Sequence, residues 1–419
     1  MVNRIVSVGD DFALPAAVKV LDTHLPTRLS EGSLSATYAT TTALAGKADT
    51  SAVAAKLDRT QGGWEYLRTR NSTALQNWFA ALGNRDNAPA KMVVIGDSVT
   101  EGSGASARPS TKRWIDGVRD RLRTRYPTTG IGAGGGIGYI PTQYAGGSVA
   151  APTNYSGSNS ADNANGLGMR ARVLNPSAAV QWNGVQGTAV DLFYLKGNSS
   201  RILTYKVDGG TGTALETNSG TGAVTDTGVQ RISLGASGVH TVNVQQTGGG
   251  AVYPEGIYVY DGDEAKGIHV YDAGHHGFET TEFAASTSHA ARVASVNANL
   301  VIIALGENDF LHDKSSATMR TNLGKIVDDI KAAQANPDPS FLFLINFQAN
   351  YTTPAEPYQN YVDAAYLAAA DKGAAVLDLS LRMPRIGNTD LGLYSDLYHP
   401  NDKGYAMMAD PIMEALSPR

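Results

Sequence analysis

The chain has 419 residues, of which 42% are hydrophobic and 17% are charged, a length that allows two or three domains with their own cores. The formal net charge is -5 and no basic run is present, so nucleic acid is a poor partner. The absence of cysteine excludes disulfides and cysteine-ligated zinc.

Signal and membrane-spanning segments are recognised in a sequence by their apolar runs. Residues 1–19 carry Asp10 and Asp11 inside their apolar stretch, and no run approaches about 18 apolar residues. We therefore expect cytoplasmic synthesis without a signal peptide, a transmembrane segment or membrane insertion.

Residues 1–62 differ in composition from the rest of the chain. The segment TALAGKAD at 42–49 is echoed by SAVAAKLD at 51–58. Segments so rich in Ala, Ser and Thr bury too little apolar surface to offset the entropy of ordering, and become stable when several chains associate. This composition resembles stalk and collar segments of bacteriophage tail fibres, which are commonly homotrimers. The resemblance implies a virion-attachment or oligomerisation arm, with a disordered linker or an ordinary helix as the alternative.

The next elements lead to a candidate nucleophile. Apolar residues at helical spacing predict a helix within residues 63–82, and the loop-like segment 83–90 follows. Residues 92–95 form a short apolar run with adjacent valines, which predicts a buried parallel strand. Ser98 then lies just beyond its carboxyl end, where open α/β sheets bind ligands, and a helix is predicted over 112–125. On its own, this serine is equally typical of a strand-ending turn.

A long β-rich segment interrupts the α/β pattern after that helix. The Gly-rich stretch at 130–139 lacks the Gly-Lys-Ser/Thr ending of a phosphate-binding loop. From about residue 178 onward, short strand-like runs alternate with Gly, Asn and Asp turns, which predicts an antiparallel β-sandwich of the jelly-roll kind.

The α/β pattern resumes after this segment, with strands alternating with longer helices. This alternation predicts an α/β fold built on a doubly wound parallel sheet. The predicted strands are 267–272, 300–305, 341–347 and 374–379, and the predicted helices are 284–297, 318–335, 356–372 and 403–416.

Two further motifs carry residues suited to acyl transfer. Gly-Glu-Asn-Asp follows the strand at 300–305, and Asp396 and His399 belong to a DxxHP cluster before the last helix. A serine hydroxyl needs an adjacent base, and a histidine needs a carboxylate that fixes its tautomer. The three-residue spacing between Asp396 and His399 places both on one side of a turn. A surface-loop histidine is the structural alternative.

These motifs, in this order, resemble the SGNH (GDSL-type) hydrolase family. The remaining family block is matched by Gly277 in YDAGHHGFETTEF, ahead of a threonine pair. The resemblance implies a three-layer fold, a catalytic set of Ser98, Asp396 and His399, and no cofactor. It also implies an oxyanion hole formed by the backbone N–H groups of Ser98 and Gly277 with the side-chain amide of Asn308.

Other residues near these blocks receive weaker assignments. Glu307 stands where the family has a small or variable residue, and Asp97 is expected to brace the loop. His275, His276 and His312 are candidates to line the substrate cleft. The adjacent histidines suggest a metal site, yet no spaced Asp, Glu or His set completes one, so no metal is predicted.

Together these features predict four segments. An arm at 1–62 precedes a hydrolase domain split into 63–129 and 267–419, with a β-sandwich module at 130–266. Inserted β modules occur in SGNH esterases that act on acetylated polysaccharides, where they bind carbohydrate. We therefore expect a phage tail-associated carbohydrate O-acetylesterase that deacetylates a bacterial surface polysaccharide, located in the virion with other tail proteins as candidate partners. A passive receptor-binding adhesin, a cellular xylan or peptidoglycan acetylesterase, and a lipase are the alternatives.

Overall fold

The computed structural model describes residues 73–107, 112–131, 134–144, 153–197, 199–218, 226–334, 339–384, 386 and 391–418. The predicted N-terminal arm, its short repeat and its role in a homotrimer lie outside the described residues, as does the start of the helix predicted within 63–82. None of the described helices has the length and apolar character needed to cross a membrane.

The described strands are, in chain order, β1 (Ala90–Gly96), β2 (Gly138–Pro141), β3 (Thr153–Ser156), β4 (Asn159–Asp162), β5 (Ala171–Leu174), β6 (Ala179–Leu195), β7 (Arg201–Val207), β8 (Thr213–Glu216), β9 (Thr227–Gly249), β10 (Tyr253–Tyr260), β11 (Ile268–Gly274), β12 (Leu300–Ala304), β13 (Ser340–Ile345) and β14 (Ala375–Asp378). The described α-helices are α1 (Gln76–Gly83), α2 (Ser98–Glu101), α3 (Trp114–Arg125), α4 (Thr280–Ala285), α5 (Thr287–Val296), α6 (Glu307–Leu311), α7 (Ser316–Ala333), α8 (Tyr358–Lys372) and α9 (Asp402–Ala415).

A five-stranded parallel sheet organises the α/β part of the chain, in the order β11-β1-β12-β13-β14. Every residue of β12 and of β13 is buried, as expected for parallel strands covered on both faces. Strand β1 pairs with β11 on one side and with β12 on the other. Because β11 and β12 are the next two strands of this sheet along the chain, the chain reverses its direction of winding at β1. The predicted α/β fold is confirmed.

Helices cover both faces of this sheet because alternate strand residues point to opposite sides. In β1, Val93 and Ile95 face a core shared with α5, α7 and α8. Met92 and Val94 face a second core shared with α1, α3 and α9. The result is a three-layer arrangement of helix, sheet and helix.

The single helix predicted over 284–297 is wrong, because the chain forms α4 and α5 instead. Ser286 lies between them in an extended conformation, and its side chain accepts a hydrogen bond from the backbone N–H of His289. A serine in this conformation is a favoured N-cap, so the second helix begins afresh.

The β-rich segment between α3 and β11 forms a seven-stranded sheet in the order β2-β10-β6-β9-β7-β8, with β3 also paired to β6. All of its pairings are antiparallel, and β4 and β5 form a separate two-stranded sheet. Its core includes Trp182, Val190 and Val244, all fully buried. The antiparallel strands predicted here are present, whereas the jelly-roll sandwich stays a prediction.

Buried ion pairs join this β-rich segment to the α/β part of the chain. Arg170 donates from Nη2 to the carbonyl oxygen of Asp272 at 2.7 Å and lies 3.1 Å from its carboxylate. Arg113 contacts the other carboxylate oxygen of Asp272 at 2.7 Å. A second buried pair joins Arg292 on α5 to Glu255 on β10. We call these contacts the buried junction.

Candidate active site

Ser98 is the first residue of α2, directly beyond the carboxyl end of β1. Asp97 is the N-cap, and its Oδ1 accepts a hydrogen bond from the backbone N–H of Val99 at 2.9 Å. This cap fixes the sharp turn from strand to helix. Ser98 is 6% exposed and reaches the pocket described below.

A chain of hydrogen bonds connects Ser98 to the loop before α9. His399 Nε2 lies 2.9 Å from Ser98 Oγ, and His399 Nδ1 lies 2.8 Å from Asp396 Oδ2. Asp396 Oδ1 also accepts the backbone N–H groups of Tyr398 and His399, at 2.7 and 2.8 Å. These bonds close the turn and hold both side chains on the same side of it.

The charge of Asp396 favours one tautomer of His399. Burial acts to raise the pKa of Asp396, but hydrogen bonds from the His399 ring and from backbone N–H groups outweigh it and hold this pKa below its ordinary value. The ionised carboxylate accepts the Nδ1 proton, which leaves Nε2 able to accept the proton of Ser98 Oγ. The arrangement is therefore suited to general-base activation of a serine.

A glycine allows the loop after α2, close to Ser98, to approach the loop that carries His399. Gly104 has φ +85°, and a Cβ there would lie 2.3 Å from Ser395 Oγ and 2.4 Å from the carbonyl oxygen of Pro400. Any larger side chain would displace the loop that carries His399. Tyr405 adds a further connection, donating from its hydroxyl to the carbonyl oxygen of Ser103 at 2.6 Å.

The loops after β11 and β12 are fixed to each other beside Ser98. Asn308 Nδ2 donates to the carbonyl oxygen of Phe278 at 2.8 Å. Asp309 accepts from both the backbone N–H and the hydroxyl of Thr280, at 3.0 and 2.5 Å. Gly277 has φ +78°, and no atom lies within 4 Å of where its Cβ would be. Gly277 and Asn308 are thus held where a ligand bound at Ser98 would contact them.

A pocket of about 360 Å³ brings the predicted site residues together. It contains the hydroxyl, imidazole and amide groups that acyl transfer requires. The lining residues are Ser98, His276, Gly277, Glu307, Asn308, Leu311, His312, Tyr351, Tyr398 and His399. Asp396 lies behind His399.

The structure separates the three histidines that were predicted to line the cleft. His276 and His312 do line the pocket. The prediction for His275 is wrong, because its ring is buried, stacks on Phe278 with a centroid separation of 3.5 Å, and bonds through Nδ1 to the carbonyl oxygen of Gly168. Burial lowers the pKa of His275 to about 4. His275 therefore belongs to the contact with the β-rich segment.

The sequence analysis missed Tyr351 and Tyr398, which line the pocket. Tyr398 stands between Asp396 and His399, so its position in that motif was an available signal. Tyr351 follows β13, and residues beyond the carboxyl ends of parallel strands meet at one edge of the sheet. Among the described residues, no group of three or more His, Cys, Asp or Glu side chains is arranged to hold a metal ion.

Comparison with known proteins finds a family similarity for part of the chain. The model of the GDSL-like Lipase/Acylhydrolase family matches residues 235–407, which is less than half of the chain and does not include Ser98. No curated protein matches the chain significantly.

Two solved structures illustrate the similarity of fold. A peptidoglycan O-acetylesterase superposes with a TM-score of 0.62 at 18% identity, covering 82% of this chain and 95% of that one. A family 2 carbohydrate esterase with a carbohydrate binding domain, from Corynascus thermopiles (Myceliophthora fergusii), reaches a TM-score of only 0.30 at 14% identity, covering 62% of this chain and 98% of that one. At these identities the first likeness concerns the fold alone, and the second carries no argument. Residues 235–407 are thus similar to the GDSL-like Lipase/Acylhydrolase family, and the fold of the chain is similar to that of a peptidoglycan O-acetylesterase.

Proposed function

We propose that this protein is a serine ester hydrolase in which Ser98 is the nucleophile, His399 the general base and Asp396 the group that orients His399. The observation that carries the proposal is the 2.9 Å contact between Ser98 Oγ and His399 Nε2, with a carboxylate 2.8 Å from Nδ1. Such a chain activates a hydroxyl that is otherwise a weak nucleophile. The same intact chain argues against a passive adhesin.

The reaction would proceed through an acyl-enzyme. As Ser98 Oγ attacks the ester carbonyl carbon, His399 Nε2 takes the hydroxyl proton, and the carbonyl oxygen becomes an oxyanion. Backbone N–H groups of Ser98 and Gly277 and the amide of Asn308 are the proposed donors to that oxyanion. His399 then returns the proton to the departing alcohol oxygen, and the ester bond to the alcohol breaks. Water, activated by His399, attacks the acyl-enzyme and releases the acid.

We further propose an O-acetylated glycan of a bacterial surface as the substrate. A pocket of about 360 Å³ suits a short acyl group with part of a sugar better than a long acyl chain. Tyr351 and Tyr398 offer aromatic surface, and His276 and His312 offer polar groups beside it. The fold shared with a peptidoglycan O-acetylesterase makes peptidoglycan the first polymer to test. Attachment to a phage tail, other tail proteins as partners and assembly as a homotrimer rest only on the composition of residues 1–62.

Acetate release tests this function. Purified protein would be incubated with O-acetylated peptidoglycan, acetylated xylan and acetylated bacterial polysaccharides, and acetate would be measured. A long-chain lipid ester, from which fatty acid would be measured, tests the lipase alternative. Ser98→Ala and the control Ser237→Ala, on the exposed surface of the β-rich segment, are treated in the same way. We expect the wild type and the control to release acetate from at least one glycan, with Ser98→Ala at least about a thousandfold slower. Release by none, or equal release by Ser98→Ala, would reject the proposal.

A further inference from the structure

Two carboxyl groups lie buried behind the pocket. Asp97 is 1% exposed and Glu307 is 4% exposed. Strands β1 and β12 pair in parallel as far as Gly96 and Ala304, so both acids leave the same sheet edge from neighbouring strands. Glu307 also lines the pocket that contains Ser98.

These carboxyl groups lack enough hydrogen-bond donors. Asp97 Oδ1 accepts from Val99, whereas Oδ2 is buried without a partner. Glu307 Oε2 has a long 3.5 Å contact with Asn346 Nδ2, and both Glu307 Oε1 and Asn346 Oδ1 lack partners. Within the part of the chain that the structure describes, neither carboxyl group has an ion pair with lysine, arginine or histidine. A buried charge without such a partner is costly, so a proton is the missing donor.

The electrostatic surroundings act in the same direction. Burial raises the pKa of Asp97, and burial together with the charge of Asp97 raises the pKa of Glu307 well above its ordinary value. A second negative charge in this space would be poorly solvated and repelled by its neighbour. Two further acids act in the same direction, because Asp309 raises the pKa of Asp97 and Asp396 raises that of Glu307. Tyr358 and Tyr394 are also close enough to feel the charge of Glu307. The titratable groups that line the pocket together with Glu307 are His276, His312, Tyr351, Tyr398 and His399.

We propose that Glu307 keeps its proton in the active enzyme, and that it thereby acts as a positioning residue for the ester hydrolysis proposed above. Asp97 holds the turn that presents Ser98, and Glu307 precedes Asn308 in α6. A neutral Glu307 lets these two elements lie side by side without repulsion between their carboxyl groups. When hydroxide removes the proton of Glu307, Asp97 and Glu307 both carry a negative charge, and the turn and the helix repel each other. This inference rests on the proposed function, but the proton on Glu307 can be detected without activity.

Infrared difference spectroscopy tests the proton directly. Spectra of the wild type and of Glu307→Gln are compared at neutral pH, with Glu356→Gln as the matched control. Hydrogen bonds from Ser316 lower the pKa of Glu356, so its carboxylate is ionised. We expect Glu307→Gln to remove a protonated-carboxyl band and Glu356→Gln to remove only carboxylate bands. If Glu307→Gln left the protonated-carboxyl band unchanged, the proton on Glu307 would be overturned.

The pH profile tests the positioning role. The kcat/KM for a small acetyl ester is measured from neutral to alkaline pH, with the rate of Ser98→Ala subtracted as background. We expect wild-type activity to fall on the alkaline side, and Glu307→Gln to lose that fall while staying within about fivefold of the wild type at neutral pH. Glutamine keeps the shape and a donor group of the protonated acid and cannot ionise, whereas Glu307→Ala should lose more than tenfold.

The outcomes separate the two proposals. An unchanged alkaline fall in Glu307→Gln would contradict the positioning role. A wild type with the protonated-carboxyl band but without activity on any ester would reject both the proposed function and the positioning role, while the proton on Glu307 would stand.

Discussion

Buried carboxyl groups occur both in the buried junction and at the sheet edge that carries the proposed catalytic residues, and the two regions stabilise them in opposite ways. We call this edge, where Asp97 and Ser98 follow β1 and Glu307 and Asn308 follow β12, the catalytic edge. At the junction, burial alone would raise the pKa of Asp272, but Arg170 and Arg113 outweigh it and keep this pKa below its ordinary value. At the catalytic edge, Asp97 and Glu307 lack a cation, and their pKa values rise. Whether a buried carboxyl group is protonated therefore depends on the counter-charge beside it and not on burial alone. The junction is a fixed ionic contact, whereas the edge keeps groups whose protons can move.

The largest effect we expect comes from removing a cation at the junction. Arg170→Met leaves Asp272 buried with only Arg113 to compensate it, and should lower the free energy of unfolding by about 3–5 kcal/mol. Chemical denaturation measures this. Arg121→Met is the control, because its pair with Asp410 is exposed and is expected to contribute about 1 kcal/mol or less. Similar losses in both variants would contradict a special role for the junction.

A second substitution tests the catalytic edge without altering a charge. Asn308→Ala removes a proposed oxyanion donor and should lower kcat by about a hundred- to a thousandfold. Steady-state kinetics on an acetyl ester measure the effect. Asn360→Ala, on the exposed side of α8, should keep full activity. If Asn308→Ala lost only a fewfold in kcat, the oxyanion assignment would be wrong.

A smaller effect on stability is expected from a change of pH at the contact with the β-rich segment. His289 is buried, its Nδ1 lies 3.2 Å from the backbone N–H of Gly168, and burial lowers its pKa to about 4. The folded state keeps this ring neutral while the unfolded chain takes up a proton below about pH 6.5. The contribution of the neutral His289 ring to the free energy of unfolding is therefore complete above about pH 6.5. It is lost at roughly 1.4 kcal/mol per pH unit as the pH falls from there toward 4.

Denaturation of the wild type and His289→Gln at pH 7 and pH 5 measures this loss. The wild type should lose about 2 kcal/mol more than the variant over this interval, because glutamine does not titrate. An equal loss in both proteins would show that His289 is not the group responsible.

The catalytic edge could be predicted from the sequence because its signals are local. Buried apolar runs end in Gly, Asp or Asn at the sheet edge, and the bond between Asp396 and His399 spans three residues. The contact between Ser98 and His399 spans 301 residues, yet the order of the motifs indicated it through the family resemblance. The roles of these residues remain proposals, although the structure places them in one pocket.

The junction could not be predicted because its partners carry no local signal. Arg170 and Asp272 lie 102 residues apart, and nothing beside either residue indicates the other. The register of β6 against β9 shifts twice, which turn residues alone do not specify. His275 was misplaced for the same reason, since only the folded chain brings Gly168 to its ring. The split between α4 and α5 was predictable in principle, because Ser286 and Thr287 form a cap-like pair.

Covalent labelling of the nucleophile tests the central claim most directly. A fluorophosphonate reacts with an activated serine, and mass spectrometry of the intact protein and its peptides locates the adduct. We predict a single adduct on Ser98 in the wild type and none in Ser98→Ala. An unmodified wild type, or an adduct on another residue that persists in Ser98→Ala, would contradict the assignment of Ser98 as the nucleophile.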